Sequence, residues 1–139
     1  MRATRGRALF LATVLALGVG QAAGATPAEI LAGLERSARA SDPAFAGFSA
    51  ERGAVFFKST HGQEWSCSSC HTDHPAASGR HAKTAKPIAP LAPAANPQRF
   101  TDAARVDKWF KRNCNDVLGR ACTVREQGDV LAFLMTVRP

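Results

Sequence analysis

Hydrophobic residues recur every three to four positions along the first part of the chain beyond residue 25, which predicts amphipathic helices. Thr26 and Pro27 suit the cap and the first position of a helix. The positions of this helix that face the core are Ile30, Leu31, Leu34 and Ala38. Asp42-Pro43 ends the pattern. A second short helix is predicted from about Ser49 through Phe57, and its core residues are Val55, Phe56 and Phe57.

Helical spacing returns after residue 100. Thr101 opens a helix with Asp102 at its positive end, and Gly119 suits its stop. The apolar face of this helix consists of Val106, Trp109, Phe110 and Asn113. A capping box, Thr123 to Glu126, opens a last helix. The inward residues of the last helix are Val130, Leu131, Leu134 and Val137.

The stretch between these helices predicts a long loop, because prolines recur from Ala76 to Arg99 and prevent a long helix. These prolines are Pro87, Pro90, Pro93 and Pro97. A loop of this length in a small domain is usually functional, and wrapping a flat cofactor would explain it. No segment alternates convincingly as a strand does, so the pattern predicts an all-α chain.

The N-terminus has the pattern of a signal peptide. Arg2, Arg5 and Arg7 precede an apolar run from Ala8 to Val19, and Ala23-Gly24-Ala25 supplies the small-residue cleavage pattern. The alternative, an uncleaved membrane anchor, is disfavoured because the run is too short to span a bilayer. We therefore expect residues 1–25 to be a cleaved signal and residues 26–139 to form one exported, periplasmic domain that does not span the membrane.

Charge adds little to this picture. The formal net charge is +7, and the predicted mature chain keeps an excess of four basic residues. Such an excess can steer an acidic protein or a small anion, although a surface with no specific partner is the simpler interpretation. No basic stripe is interleaved with aromatic residues, so we expect no nucleic-acid partner.

The cysteines carry the strongest signal. In an oxidising compartment, the four cysteines divide naturally into one haem attachment and one disulfide. Cys67-Ser68-Ser69-Cys70-His71 has the spacing of a covalent haem site, in which two thiols add to the two vinyl groups and the histidine ligates the iron. A thioredoxin-like pair would need a βαβ setting, and a zinc site would need a second pair of ligands. Neither is present, so we expect one covalently attached haem c.

The iron has a second axial position opposite His71. The ligand at that position decides whether such a protein carries electrons or binds small molecules. Beyond the signal the only methionine is Met135, near the end of the last helix, where it suits core packing. His81 is the best histidine candidate, although its polar surroundings suit a solvated residue. Asn113 is a candidate because an unpaired buried amide is costly and needs a partner. Cys114 and Cys122 can bond only if the chain turns back, around Gly119.

Several stretches resemble the sphaeroides haem protein family of oxygen-binding c-type cytochromes. They are Arg112 to Thr123 (RNCNDVLGRACT), Lys86 to Pro93, Asn96 to Thr101 and Lys108-Trp109-Phe110. The similarity runs from about Arg52 to the C-terminus. It implies a class I cytochrome c-like fold with His71 as the proximal ligand, Asn113 as the sixth ligand of the oxidised iron, and a Cys114–Cys122 disulfide near the haem.

The resemblance also implies that the asparagine leaves on reduction, so that oxygen or another small diatomic ligand binds. It further implies a dihaem cytochrome c or a membrane cytochrome b as the redox partner. A nitric oxide dioxygenase or oxidase-like activity is another role that it implies. We therefore expect a periplasmic monohaem cytochrome that accepts electrons and binds a diatomic ligand. The alternatives are a plain electron carrier with a permanent ligand such as His81, and a haem enzyme acting on oxygen or nitric oxide.

Overall fold

The computed structural model describes residues 24–139. The predicted signal peptide lies outside this range except for its last two residues. The described chain consists of five helices and one short hairpin: α1 Pro27–Ser41, α2 Ala50–Lys58, α3 Cys67–His71, β1 Gly79–Arg80, β2 Pro87–Ile88, α4 Ala103–Leu118 and α5 Val124–Thr136. The expected all-α class is confirmed, since the antiparallel pair β1–β2 is the only strand pairing in these residues.

The helix ends follow from their capping residues. Thr26 and Glu29 form a reciprocal capping box at the start of α1, and Thr123 and Glu126 form the predicted one at the start of α5. Gly119 ends α4 in the left-handed conformation, at φ 68°, as expected. The prediction for the start of α4 was wrong by one residue: Asp102, rather than Thr101, accepts the cap hydrogen bond, from the Arg105 N–H.

The core forms where α5 packs against α1 and α2. Gly53 of α2 lies against the Asp129 carbonyl of α5, where a Cβ would collide, so this glycine lets the two helices approach closely. Beside this contact Asp129, which is buried, accepts hydrogen bonds from the Ser49 N–H and from Arg52. The charged cluster therefore fixes the start of α2 on α5.

A hydrophobic cluster lies next to this crossing. Its buried members are Phe57, Val130 and Leu134. The partly buried side chains that pack around them come from four helices and the proline-rich loop: Phe56, Cys67, Leu91, Phe100, Phe110 and Phe133. The cluster therefore joins α2 and α5 to α3, to the proline-rich loop and to α4.

One inward assignment from the sequence was wrong. Val55 is 64% exposed, because it lies two residues from buried Phe57 and so on the other side of α2. Trp109 is 45% exposed on the side of α4 that no other helix of the described residues covers extensively, and the Arg112 guanidinium lies 5.4 Å from its ring centroid. Val106, Phe110 and Asn113 remain half-buried on the predicted face of α4. Across residues 24–139 no helix has the length and apolar character needed to cross a membrane.

Candidate haem-binding site

The Cys-x-x-Cys-His motif forms a short helix of its own, α3. Ser66 caps it by accepting from the Ser69 N–H, and Ser69 Oγ accepts from the Ser66 N–H in return. A helical turn brings Cys67, Cys70 and His71 to one face, because residues three and four apart are neighbours on a helix. The sequence predicted the three side chains but not the helix, and Ser66-x-x-Ser69 is the signal that could have revealed it.

The Cys67 thiol lacks the stabilised thiolate that a redox pair or a metal centre needs. Cys67 and Cys70 are unbonded and half-buried. Burial raises the pKa of the Cys67 thiol to about 11. A thioredoxin-like pair or a metal centre needs a stabilised thiolate, with a lowered pKa. No group of three or more metal-binding side chains occurs in the part of the chain that the structure describes.

His71 suits the role of an iron ligand. Burial, together with the positive charge of Arg99, lowers the pKa of its imidazole to about 4. The ring is therefore neutral at physiological pH and has a lone pair available for a metal. It lies beside Phe57, with 6.4 Å between the ring centroids. His71 is thus held against the hydrophobic cluster.

Asn113 lies on the α4 face that turns toward the same cluster. Phe110 packs there and precedes Asn113 by three residues, which places both on one side of the helix. The half-buried Asn113 side chain forms no hydrogen bond to any of residues 24–139, whereas Asn115 is exposed. Over the same range α4 makes no extensive contact with another helix. A flat apolar group beside α4 would cover this face, so the residues fit a haem.

A disulfide joins the residue after Asn113 to the start of α5. Cys114 and Cys122 are bonded, with their Cα atoms 5.5 Å apart and eight residues of sequence separation. The chain turns at Gly119 and brings the two cysteines together, as the sequence predicted for a disulfide between them. The pairing implied by the family resemblance is therefore confirmed.

The histidine alternatives are engaged in their own loops. His81 Nδ1 accepts from the N–H groups of Lys83 and Thr84. The Nε2 atom of His61 is 2.9 Å from the Phe56 carbonyl oxygen. His74 is exposed, and Met135 is half-buried in the last turn of α5. None of these side chains shares the α4 face with Asn113.

Comparison with known proteins identifies the family. A family model described as a domain of unknown function (DUF1924) matches residues 43–134. The cytochrome c-type protein SHP of Cereibacter sphaeroides is 47% identical over 132 residues, which cover 92% of this chain and 96% of that protein. The chain belongs to the SHP family of c-type cytochromes.

Solved structures agree with this membership. Oxidised SHP, described as an oxygen-binding cytochrome c, superposes with a TM-score of 0.72 at 45% identity, covering 81% of this chain and 98% of that one. The solution structure of cytochrome c'' from Methylophilus methylotrophus, described in terms of haem-ligand detachment, gives a TM-score of 0.70 at 35% identity, covering 81% and 94%. As a member of the SHP family, the chain is a c-type cytochrome whose cofactor is one covalently attached haem c.

Proposed function

We propose that this cytochrome is a periplasmic monohaem protein that accepts an electron and binds oxygen or another small diatomic ligand at its iron, under the control of Asn113. Cys67 and Cys70 hold the haem through thioether bonds, and His71 is the proximal ligand. The bound haem supplies an iron that changes its charge by one electron and has one further axial position. The function depends on which side chain of this chain reaches that position.

The observation that carries the proposal is the half-buried Asn113 amide without a protein partner. A haem on this face of α4 would remove the amide from water, and an amide that loses water without gaining a partner is costly, so the position favours a ligand for its oxygen. Phe110, on the same face, packs on the cluster that also contacts Cys67. The attachment helix and Asn113 therefore border one apolar region.

The best histidine rival is weakened by its own hydrogen bonds. His81 Nδ1 accepts from two N–H groups, and the tautomer that fits these hydrogen bonds carries a proton on Nε2. A ring nitrogen that carries a proton has no lone pair for iron. A permanent His81 ligand would require this loop to open, so the plain electron carrier is the less favoured function.

The chemistry of an amide explains why the site should depend on the redox state. An amide oxygen is a hard ligand, which suits ferric iron better than the softer ferrous iron. On reduction Asn113 therefore releases the iron, and its NH₂ group becomes available to donate a hydrogen bond to an incoming ligand. The relatives described in terms of oxygen binding and haem-ligand detachment support this gate.

The cellular setting belongs to the same proposal. The signal-like residues 1–25 direct the domain to the periplasm, where c-type cytochromes typically function. The electron donor is another haem protein, a dihaem cytochrome c or a membrane cytochrome b. Whether the bound ligand is turned over is an outcome of the test below.

Optical spectra of the oxidised and reduced holoprotein, with and without carbon monoxide, test the proposal. We expect carbon monoxide to shift the spectrum of the reduced protein only. A reduced spectrum that ignores carbon monoxide would show a permanent ligand and a plain electron carrier. Continuous consumption of oxygen or nitric oxide with an added reductant would show an enzyme rather than a carrier of the ligand.

A further inference from the structure

The hairpin that follows the haem attachment carries an unbalanced positive charge. Between Asp73 and Asp102 the sequence contains no aspartate or glutamate. Arg80, Lys83 and Lys86 are all exposed and lie within residues 79–88, here called the cationic hairpin. No other strand pairing occurs within residues 24–139, so this hairpin is a distinct surface feature.

These cations have no acidic partner in the described chain. All four ion pairs found there lie on other elements: Arg39–Glu35, Arg52–Asp129, Arg120–Glu126 and Arg125–Asp42. Arg80 donates instead to the Ala85 carbonyl within the hairpin, and Lys83 lies over the Trp65 ring, 4.6 Å from its centroid. No direct ion pair within the described residues therefore neutralises these three cations.

The cationic hairpin is fixed directly to the haem-attachment helix. The Ala82 N–H donates to Cys70 Sγ at 3.3 Å. Gly79 lies so close to the Cys70 carbonyl that a Cβ would collide with it. The hairpin is braced internally as well, by the His81 N–H to the Lys86 carbonyl and by the two donors to His81 Nδ1. These contacts hold the cationic hairpin in a defined position beside the Cys70 sulfur.

We propose that the cationic hairpin is the docking surface for the acidic face of an electron-donor protein. The inference rests on the proposed attachment of the haem through Cys70. That thioether marks one edge of the macrocycle, so a partner seated on Arg80, Lys83 and Lys86 lies beside this edge. One electron passes from the donor to the ferric iron, which becomes ferrous, while the donor is oxidised by one electron.

A protein partner fits this surface better than a small anion does. The three cations spread along a hairpin instead of converging on one point, and none is buried. Such an arrangement raises the encounter rate with an extended acidic surface and orients it. Charges within about 10 Å of one another act together at 0.1 M salt, which is the scale of a short hairpin.

The test uses flavodoxin hydroquinone, an acidic protein that donates one electron, as the probe. The variant is Lys83→Glu/Lys86→Glu, and the matched control is Arg36→Glu/Arg138→Glu, on α1 and on the tail after α5. Both variants change the net charge equally. Each must first retain covalent haem and carbon monoxide binding, because failure of the wild-type protein at that step would speak against the proposed function rather than against the docking surface.

At low ionic strength we expect the hairpin variant to be reduced at least roughly tenfold more slowly in stopped flow, and the control less than about threefold. The difference should vanish near 0.5 M salt, where surface charges are screened. Equal slowing of both variants, or no slowing, would overturn the proposal.

Paramagnetic mapping gives a second measurement that needs no variant. Hexacyanochromate(III) added to the wild-type reduced, carbon monoxide-bound holoprotein, whose iron is diamagnetic, should broaden the amide signals of residues 80–86 before those of α1 and of the C-terminal tail. Even broadening across all basic surfaces would overturn the proposal. Broadening at the hairpin without any effect of the hairpin variant on flavodoxin would assign the surface to small anions, and would also overturn it.

Discussion

Cys114, the residue that follows Asn113, forms a disulfide with Cys122. The side chain proposed to gate the iron is therefore adjacent to a covalent crosslink. The crosslink ties the last turn of α4 to the residue before the cap of α5. α5 in turn packs on α1 and α2. The disulfide therefore connects the Asn113 backbone to the most extensively packed helix of the domain.

Removing this crosslink should lower stability. The crosslink restricts the unfolded chain, and the effect of so short a closed loop is modest, so we expect Cys114→Ser/Cys122→Ser to reduce the free energy of unfolding by on the order of 2–3 kcal/mol. Urea unfolding of the holoprotein, followed by far-ultraviolet circular dichroism, measures the change. An unchanged midpoint and slope would mean that the crosslink does not stabilise the native state.

Removing the buried Asp129 carboxylate on α5 should lower the free energy of unfolding by about as much as removing the disulfide. Asp129→Ala leaves the Ser49 N–H and the Arg52 guanidinium without their acceptor, and we expect a loss of about 2–4 kcal/mol. Glu35→Ala is the control, because its exposed pair with Arg39 should contribute less than about 0.5 kcal/mol. Similar urea midpoints for the two variants would contradict this assignment.

The start of α5 should be sensitive to acid. A hydrogen bond from Arg120 holds the pKa of the Glu126 carboxyl below its usual value of 4.5. Since the folded-state pKa is the lower one, the stabilisation is complete above about pH 4.5 and is lost as the pH falls through the folded-state pKa. The wild-type urea midpoint should therefore fall more steeply below about pH 5 than that of Glu126→Gln. Parallel curves would exclude this contribution, and the exposed Glu64→Gln serves as the control.

Haem attachment gives a direct chemical prediction. The haem should stay on the polypeptide through denaturation and acid–organic extraction, since thioether bonds are covalent. Cys67→Ala/Cys70→Ala should release any haem it binds in that extraction, whereas Ser68→Ala, which keeps both thiols, should retain it. Mass spectrometry of the extracted polypeptide measures the difference, and haem lost from the wild-type chain would refute attachment at these cysteines.

The helices were predictable from the sequence because their caps are local. Thr26, Gly119 and Thr123 each act within about one turn, so their effect can be inferred without the tertiary fold. Local spacing could not settle which side of a helix is buried. Val55 is apolar and lies two residues from buried Phe57 in sequence, yet it is exposed, because the positions of neighbouring helices decide burial.

The site, like the helices, could be predicted from the sequence only where its signal is local or shared with the family. Cys67, Cys70 and His71 were identified from one contiguous motif, and the Cys114–Cys122 pairing came from the family resemblance. The buried Asp129 and the bond from Ala82 to Cys70 join residues that are distant in sequence. No local pattern encodes such contacts, so only the folded chain reveals the charged cluster around Asp129 and the position of the hairpin at the attachment site.

The central claim is that Asn113 is a ligand of the ferric iron and leaves on reduction. Resonance Raman spectra of the oxidised and reduced holoprotein, compared among wild type, Asn113→Ala and Asn115→Ala, test it most directly. We expect wild type and Asn115→Ala to be six-coordinate when oxidised and high-spin when reduced, and oxidised Asn113→Ala to have an open or water-ligated iron. A wild-type iron that is low-spin after reduction, or an Asn113→Ala spectrum identical to that of the wild type, would contradict the account.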